Sequence, residues 1–264
     1  MKDFFGFGGY TRPAEGYLSW QHLLFVSSLV AIMVLLAILL GRKNRHALPA
    51  EKNKVLIVAA ILIDSIELCK IILMCIRAQD PWLWIYELPL FLCSIQLITL
   101  PLAAFSRGRV KEAALDFVLI FGLLGAILGT YAAGNNYSCY PVLSFDNVVS
   151  GITHCISGFS ALYIAISGMQ SMKLRNMPIT FGILLGFCAA ALTANLLLPY
   201  NYMFLMRGDG TPYDLIYNAV GGNPVLYPIL VVLLFLVYIV VFYAVYYLAQ
   251  RPKRKKNENE IVSA

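Results

Sequence analysis

Apolar runs long enough to cross a bilayer alternate along the chain with short polar breaks, most of them basic. Seven such runs stand out: Leu18–Leu40, Val55–Ile76, Leu83–Phe105, Ala113–Ala132, Val148–Gly168, Ile179–Leu198 and Val225–Leu248. Each meets the roughly 20 residues a helix needs to span a hydrocarbon core of about 30 Å. None alternates as a barrel strand does, and backbone groups in lipid must be satisfied within their own segment, so the pattern predicts helices. The expected fold is all-α: a polytopic membrane protein of seven transmembrane helices in one domain, residues 1–250, ending in a basic, disordered tail, 251–264.

Composition agrees with this pattern. Of the 264 residues 60% are hydrophobic and 13% charged, and the mean hydropathy is +0.74, a balance that excludes an ordinary soluble domain. The net charge of +6 invites a nucleic-acid reading, but its distribution argues for topology instead. Fifteen of the twenty Lys and Arg fall in the breaks after the first, third and fifth runs and in the tail, as Arg42, Lys43, Arg45, Lys52 and Lys54 do in the first break. The positive-inside rule then puts the N-terminus outside and the C-terminus in the cytoplasm of a multi-pass cell-membrane protein. The first run precedes its basic cluster, which is the wrong order for a cleaved signal peptide.

The second run carries three ionisable residues, Asp64, Glu67 and Lys70. A charge in the hydrocarbon costs about 2.5–3.5 kcal/mol on insertion scales unless it pairs or meets water, so these residues belong in a bundle interior. At 1.5 Å per residue, Lys70 lies roughly 10 Å, Glu67 and Cys93 roughly 15 Å, Gln96 roughly 20 Å and His154 roughly 9 Å below the outer boundary, with Asn195 in the last turn of the sixth run. Depth thus gathers Glu67, Lys70, Cys93, His154 and Asn195 in the outer half of the membrane.

A cysteine becomes a nucleophile when a neighbouring histidine takes its proton. Here Cys93 would attack and His154 would act as base. Glu67 would orient the imidazole, and Asn195 or Asn201 would donate to an oxyanion. Each residue also has a purely structural reading. Cys93 can be a small packing residue, His154 an interhelical hydrogen-bonding group, and Glu67 with Lys70 a self-neutralising i, i+3 pair. Glu112 and Asp116 are expected to favour the N-terminus of the fourth helix. The six cysteines form no C-x-x-C motif and the three histidines are far apart, so neither a metal site nor a cofactor is predicted. Cys139, in an external break, has Cys75 as a conceivable disulfide partner. Two long outer breaks, Gly134–Asn147 and Pro199–Pro224, have the length of lids.

These residues carry a resemblance. Leu88-Pro89-Leu90-Phe91-Leu92-Cys93, His154, and Asn201-Tyr202-Met203-Phe204-Leu205 follow in order. They resemble the L-P-L-H-L-C, histidine and N-Y-M-[YF]-L motifs of the YwaF family of bacterial integral membrane proteins, which belongs with the transmembrane protein 164 family of acyltransferases. The resemblance begins at Ser19-Trp20-Gln21-His22-Leu23 and runs to the last helix. It implies a membrane-embedded phospholipid acyltransferase with Cys93 as nucleophile, His154 as its partner, and Asn201 and Tyr202 in a supporting motif. Its partners would be membrane lipids: an acyl-chain donor and a lysophospholipid-like acceptor, with neither a nucleic acid nor a protein partner implied. Phe91 departs from the pattern, because its ring has no titratable nitrogen where the family has histidine. The rival reading is a small-molecule or proton-coupled transporter built on Asp64, Glu67 and Lys70, although no internal repeat or pair of broken helices accompanies them.

Overall fold

The computed structural model describes residues 2–262, and side chains over residues 4–249. The described residues are helical throughout their regular structure, with no strand among them. In order the helices are α1 (Lys2–Phe5), α2 (Trp20–Lys43), α3 (Pro49–Ala78), α4 (Gln96–Phe105), α5 (Gly108–Tyr131), α6 (Gly134–Cys139), α7 (Phe145–Ser167), α8 (Met177–Leu197), α9 (Asp214–Ala219) and α10 (Leu226–Val262). The chain divides into two compact units, 1–171 and 172–264.

Local chemistry sets the helix ends. Ser19 caps α2 by accepting from the His22 amide at 3.2 Å, and Ser144 caps α7 by accepting from the Asn147 amide at 3.3 Å. Pro49 opens α3, where a missing N–H leaves no bond unmade. Gly168 closes α7 at φ 73°, a left-handed conformation that glycine adopts without strain.

Five helical stretches are long and apolar enough to cross a membrane: Trp20–Lys43, Gly108–Cys139, Phe145–Ser167, Leu174–Leu197 and Leu226–Ala249. The two other expected spans differ from the prediction. α3 has the length, 30 residues, but Asp64, Glu67 and Lys70 interrupt its apolar character. The third run is not one helix at all. A 3-10 turn, Leu83–Glu87, is followed by a tight bend at Pro89, where the Leu90 amide donates to the Leu88 carbonyl at 2.7 Å, and only Gln96–Phe105 is α-helical. The residue before a proline is pushed out of the α region, and Leu88 accordingly sits at φ −56°, ψ 141°. Ten residues of α4 rise only about 15 Å, half a hydrocarbon core.

In the first unit α5 is the central helix. Its apolar stretch is 72% buried, against 17% for α2, because α4 and α7 pack on it closely. Small residues permit that approach: a side chain on Gly122 would meet the Ser157 carbonyl and Ala161 of α7. At one end, Arg77 of α3 grips Asp146 of α7 in a two-pronged ion pair, Nη1 to Oδ2 at 2.7 Å and Nη2 to Oδ1 at 2.8 Å. The Tyr10 hydroxyl donates to the same carboxylate, which ties the N-terminal segment to this end. The expected Gly134–Asn147 lid is likewise tethered, since Glu15 accepts from the Val142 amide at 2.7 Å and Asn147 donates to the carbonyls of Tyr140 and Pro141. At the other end Asp116 lies two turns into α5, beyond its first-turn amides, and accepts from the Ser171 amide at 2.8 Å. It holds the chain after α7 instead of serving the helix dipole.

The second unit contains α8, the loop that follows it, α9 and α10. The α10 backbone continues through Val262, so the segment expected as a disordered tail extends a helix as far as that residue. Cys75 and Cys139, the conceivable disulfide partners, are both free thiols.

Candidate functional site

Cys93 sits in the break that the sequence pattern hid. A single helical turn, closed by the Ile95 amide donating to the Phe91 carbonyl at 2.9 Å, carries it just ahead of α4. Ser94 locks this turn: its hydroxyl accepts from the Phe91 amide at 3.0 Å and lies 3.2 Å from the Phe91 carbonyl. Amides at the start of a helical turn have no carbonyl behind them to bond. Those of Cys93 and Ser94 lie beside the Cys93 sulfur.

His154 projects from the third turn of α7. Its Nδ1 lies 2.7 Å from the Ser150 carbonyl, one turn back on the same helix. A carbonyl only accepts, so Nδ1 carries the proton and Nε2 presents a lone pair. The Cys93 thiol hydrogen-bonds to this ring. The group that orients the imidazole is therefore the Ser150 carbonyl, where the sequence suggested Glu67.

α5 makes room for the pair. A Cβ at Gly129 would fall inside the His154 imidazole, and one at Gly125, one turn earlier, would stand 3.4 Å from Cys93 Cα. The two glycines leave bare helix backbone beneath the thiol and the ring. Cys93 and His154 both keep part of their surface exposed.

Glu67 and Lys70 do meet, in a cluster with a third member. The Lys70 ammonium lies 2.7 Å from Glu67 Oε1 and 2.8 Å from Glu87 Oε2, with side-chain exposures of 14%, 11% and 25%. Glu87 comes from the 3-10 turn and went unassigned in the sequence, because continuous helical register would not have revealed the fold-back that brings it there. Asp64 stands apart: its buried Oδ1 has no hydrogen-bond partner among the described residues. Eleven residues earlier, hence within about 20° on the same helical stripe, Asn53 donates to the Ala104 carbonyl of α4 at 2.8 Å. The Asn53–Ala104 and Lys70–Glu87 contacts lie on either side of Asp64 along α3.

Asn195, Asn201 and Tyr202 lie in the second unit, where their groups build the loop after α8. The Asn195 side chain pairs with the Tyr202 backbone, Nδ2 to the carbonyl at 3.0 Å and Oδ1 to the amide at 2.6 Å. Asn201 spends both Nδ2 protons, on the Arg207 carbonyl and on Asp209 Oδ2, each at 2.7 Å, while its Oδ1 accepts from the Met206 amide. That network holds Met203 and Phe204 at φ 53° and 55°. Left-handed backbone at two consecutive non-glycine residues needs such outside support. An amide committed in this way is not available to an oxyanion.

A separate cavity of about 510 Å³ lies in the first unit among α2, α3 and α7, lined by Leu29, Met33, Val58, Ala59, Cys155 and Phe159. Neither Cys93 nor His154 borders it.

A helical membrane protein with a thiol and an imidazole paired against a glycine-lined helix is the class these observations define. The TMEM164 family profile matches residues 17–246, and the chain belongs to that family. The YwaF resemblance fits within it. No curated protein and no solved structure matches the chain.

Proposed function

We propose that this protein transfers acyl chains between lipids of the cell membrane, with Cys93 as nucleophile and His154 as base. The observation that carries the proposal is the hydrogen bond between the Cys93 thiol and an imidazole whose other nitrogen is held by Ser150. In this reading all seven apolar segments cross the membrane, the α3 charges being neutralised or shielded inside the bundle, with the N-terminus outside. The thiol then stands in the outer half of the bilayer, within reach of phospholipid esters.

The reaction runs in two halves. Nε2 of His154 takes the thiol proton while sulfur bonds to the ester carbonyl carbon, and the carbonyl electron pair moves onto oxygen. Collapse of this tetrahedral species breaks the ester C–O bond, and the departing lysolipid oxygen takes the proton from Nε2. In the second half the hydroxyl of a lysophospholipid-like acceptor gives its proton to Nε2 and attacks the thioester. The C–S bond breaks, and the thiolate recovers the proton. The Cys93 and Ser94 amides lie beside the sulfur on which negative charge develops. The transporter reading needs Asp64, Glu67 and Lys70 as one open site, whereas Lys70 is already held between Glu67 and Glu87.

The test is intact-protein mass spectrometry after incubation with an ester phospholipid. An acyl adduct that hydroxylamine releases, present in the wild type and absent in Cys93→Ala, supports the proposal. An adduct of equal yield in Cys93→Ala removes Cys93 as the nucleophile.

A further inference from the structure

The tetrahedral oxygen in both halves of the proposed reaction needs a hydrogen-bond donor; Asn201 has both Nδ2 protons engaged, and Asn195 serves the Tyr202 backbone in the second unit. Gln96 opens α4 three residues after Cys93 and is fully buried. Its Oε1 lies 3.0 Å from the Thr99 hydroxyl, yet its Nε2, buried as well, has no hydrogen-bond partner. An unmade buried hydrogen bond is costly, so an amide kept in that state calls for an occasional partner that the resting protein lacks. Residues three apart on a helical turn share a face, and helical side chains lean toward the N-terminus, which here is the direction of Cys93. The α4 arm is bounded on one side by Gly125 of α5, which packs against Cys93 itself.

We infer that Gln96 is the oxyanion donor of this site: its Nε2–H bonds the carbonyl oxygen of the ester, and then of the thioester, as negative charge develops on it. The inference deepens the acyl-transfer reading and rests on it. No other reactant is required, since the amide only donates a hydrogen bond and keeps its proton throughout. The ligand it recognises is a carbonyl oxygen, the one polar atom that donor lipid and thioester have in common. Thr99 supplies the alignment. Its hydroxyl lies 3.1 Å from the Ile95 carbonyl and 3.0 Å from Gln96 Oε1, and in donating its one proton to the latter it leaves Nε2 as the outward end of the amide.

The experiment follows adduct formation on full-length protein given an ester phospholipid, beside alkylation of Cys93 by iodoacetamide read at the peptide level. Alkylation uses the same thiol but creates no oxyanion. Gln96→Met keeps the volume without polar atoms, and Gln96→Leu removes the donor with a second apolar shape. Acylation reduced about 100-fold in both variants, with Cys93 alkylation unchanged, supports the assignment. Unchanged acylation in either variant overturns it. So does a parallel fall in acylation and alkylation, which would make Gln96 a structural residue. A wild type whose Cys93 alkylates but never acylates sinks the acyl-transfer reading itself, and the donor role with it.

Discussion

His154 occupies the volume where a side chain on Gly129 would stand. Helix α5 thereby decides whether the imidazole can reach Cys93. Gly129→Ala must push the imidazole off its position, and acyl-adduct formation is expected to fall at least about 100-fold, in line with the loss of a general base. Gly125→Ala meets only ordinary contact distance at Cys93 and is expected to keep most of the activity. Equal activity in the two variants would contradict this account of the site.

Lys70 is the one cation between two carboxylates in a mostly buried cluster. Removing one partner of such a group leaves uncompensated charge, which costs about 3–5 kcal/mol, whereas replacing every member by neutral residues can be nearly free. Lys70→Met should therefore lower the thermal midpoint markedly in detergent. The triple variant Lys70→Met, Glu67→Gln, Glu87→Gln should recover most of the loss. A single variant as stable as the wild type would mean the cluster does not support the fold.

Asp64 invites the opposite expectation. Its buried Oδ1 has no hydrogen-bond partner among the described residues, so folding gains nothing from its charge. Asp64→Asn is expected to leave the thermal midpoint unchanged or to raise it by an amount equivalent to about 1 kcal/mol. A loss of stability comparable to that of Lys70→Met would reveal an ion pair that the resting structure does not contain.

Tyr10 gives the protein an alkaline limit. Burial, reinforced by its hydrogen bond to the Asp146 carboxylate, pushes its hydroxyl up to about 12. An unfolded tyrosine ionises near pH 10. The unfolded chain therefore loses this proton first as pH rises, and the stability contributed by the neutral phenol, complete below about pH 10, is lost between about 10 and 12. Thermal unfolding of Tyr10→Phe should be less stable at neutral pH and decline less steeply across that window. Parallel curves for the two proteins would exclude Tyr10 as the titrating group.

Much of the site was readable from hydrophobic pattern and depth. Cys93 and His154 were placed at similar levels because rise per residue converts position into depth, and the structure brings the two together. The reading assumed that Leu83–Phe105 was one helix, and periodicity cannot distinguish a span from a broken one when every residue is apolar. Pro89 was the available signal, since it restrains Leu88 to extended backbone. Glu87 and Ser150 were missed for different reasons. The first reaches Lys70 by a fold-back, and the second acts through its backbone carbonyl, which no side-chain motif records.

The sequence by itself determined the membrane class, most of the helices and the motif residues, because lipid demands internally bonded apolar segments and the basic breaks mark their ends. Tertiary structure alone decided which polar groups meet: the thiol with the imidazole over two glycines, Lys70 with two carboxylates, Gln96 Nε2 and Asp64 with nothing. Those outcomes depend on which faces of separate helices come together, and a partner contributed by another helix leaves no trace in the local pattern of either segment.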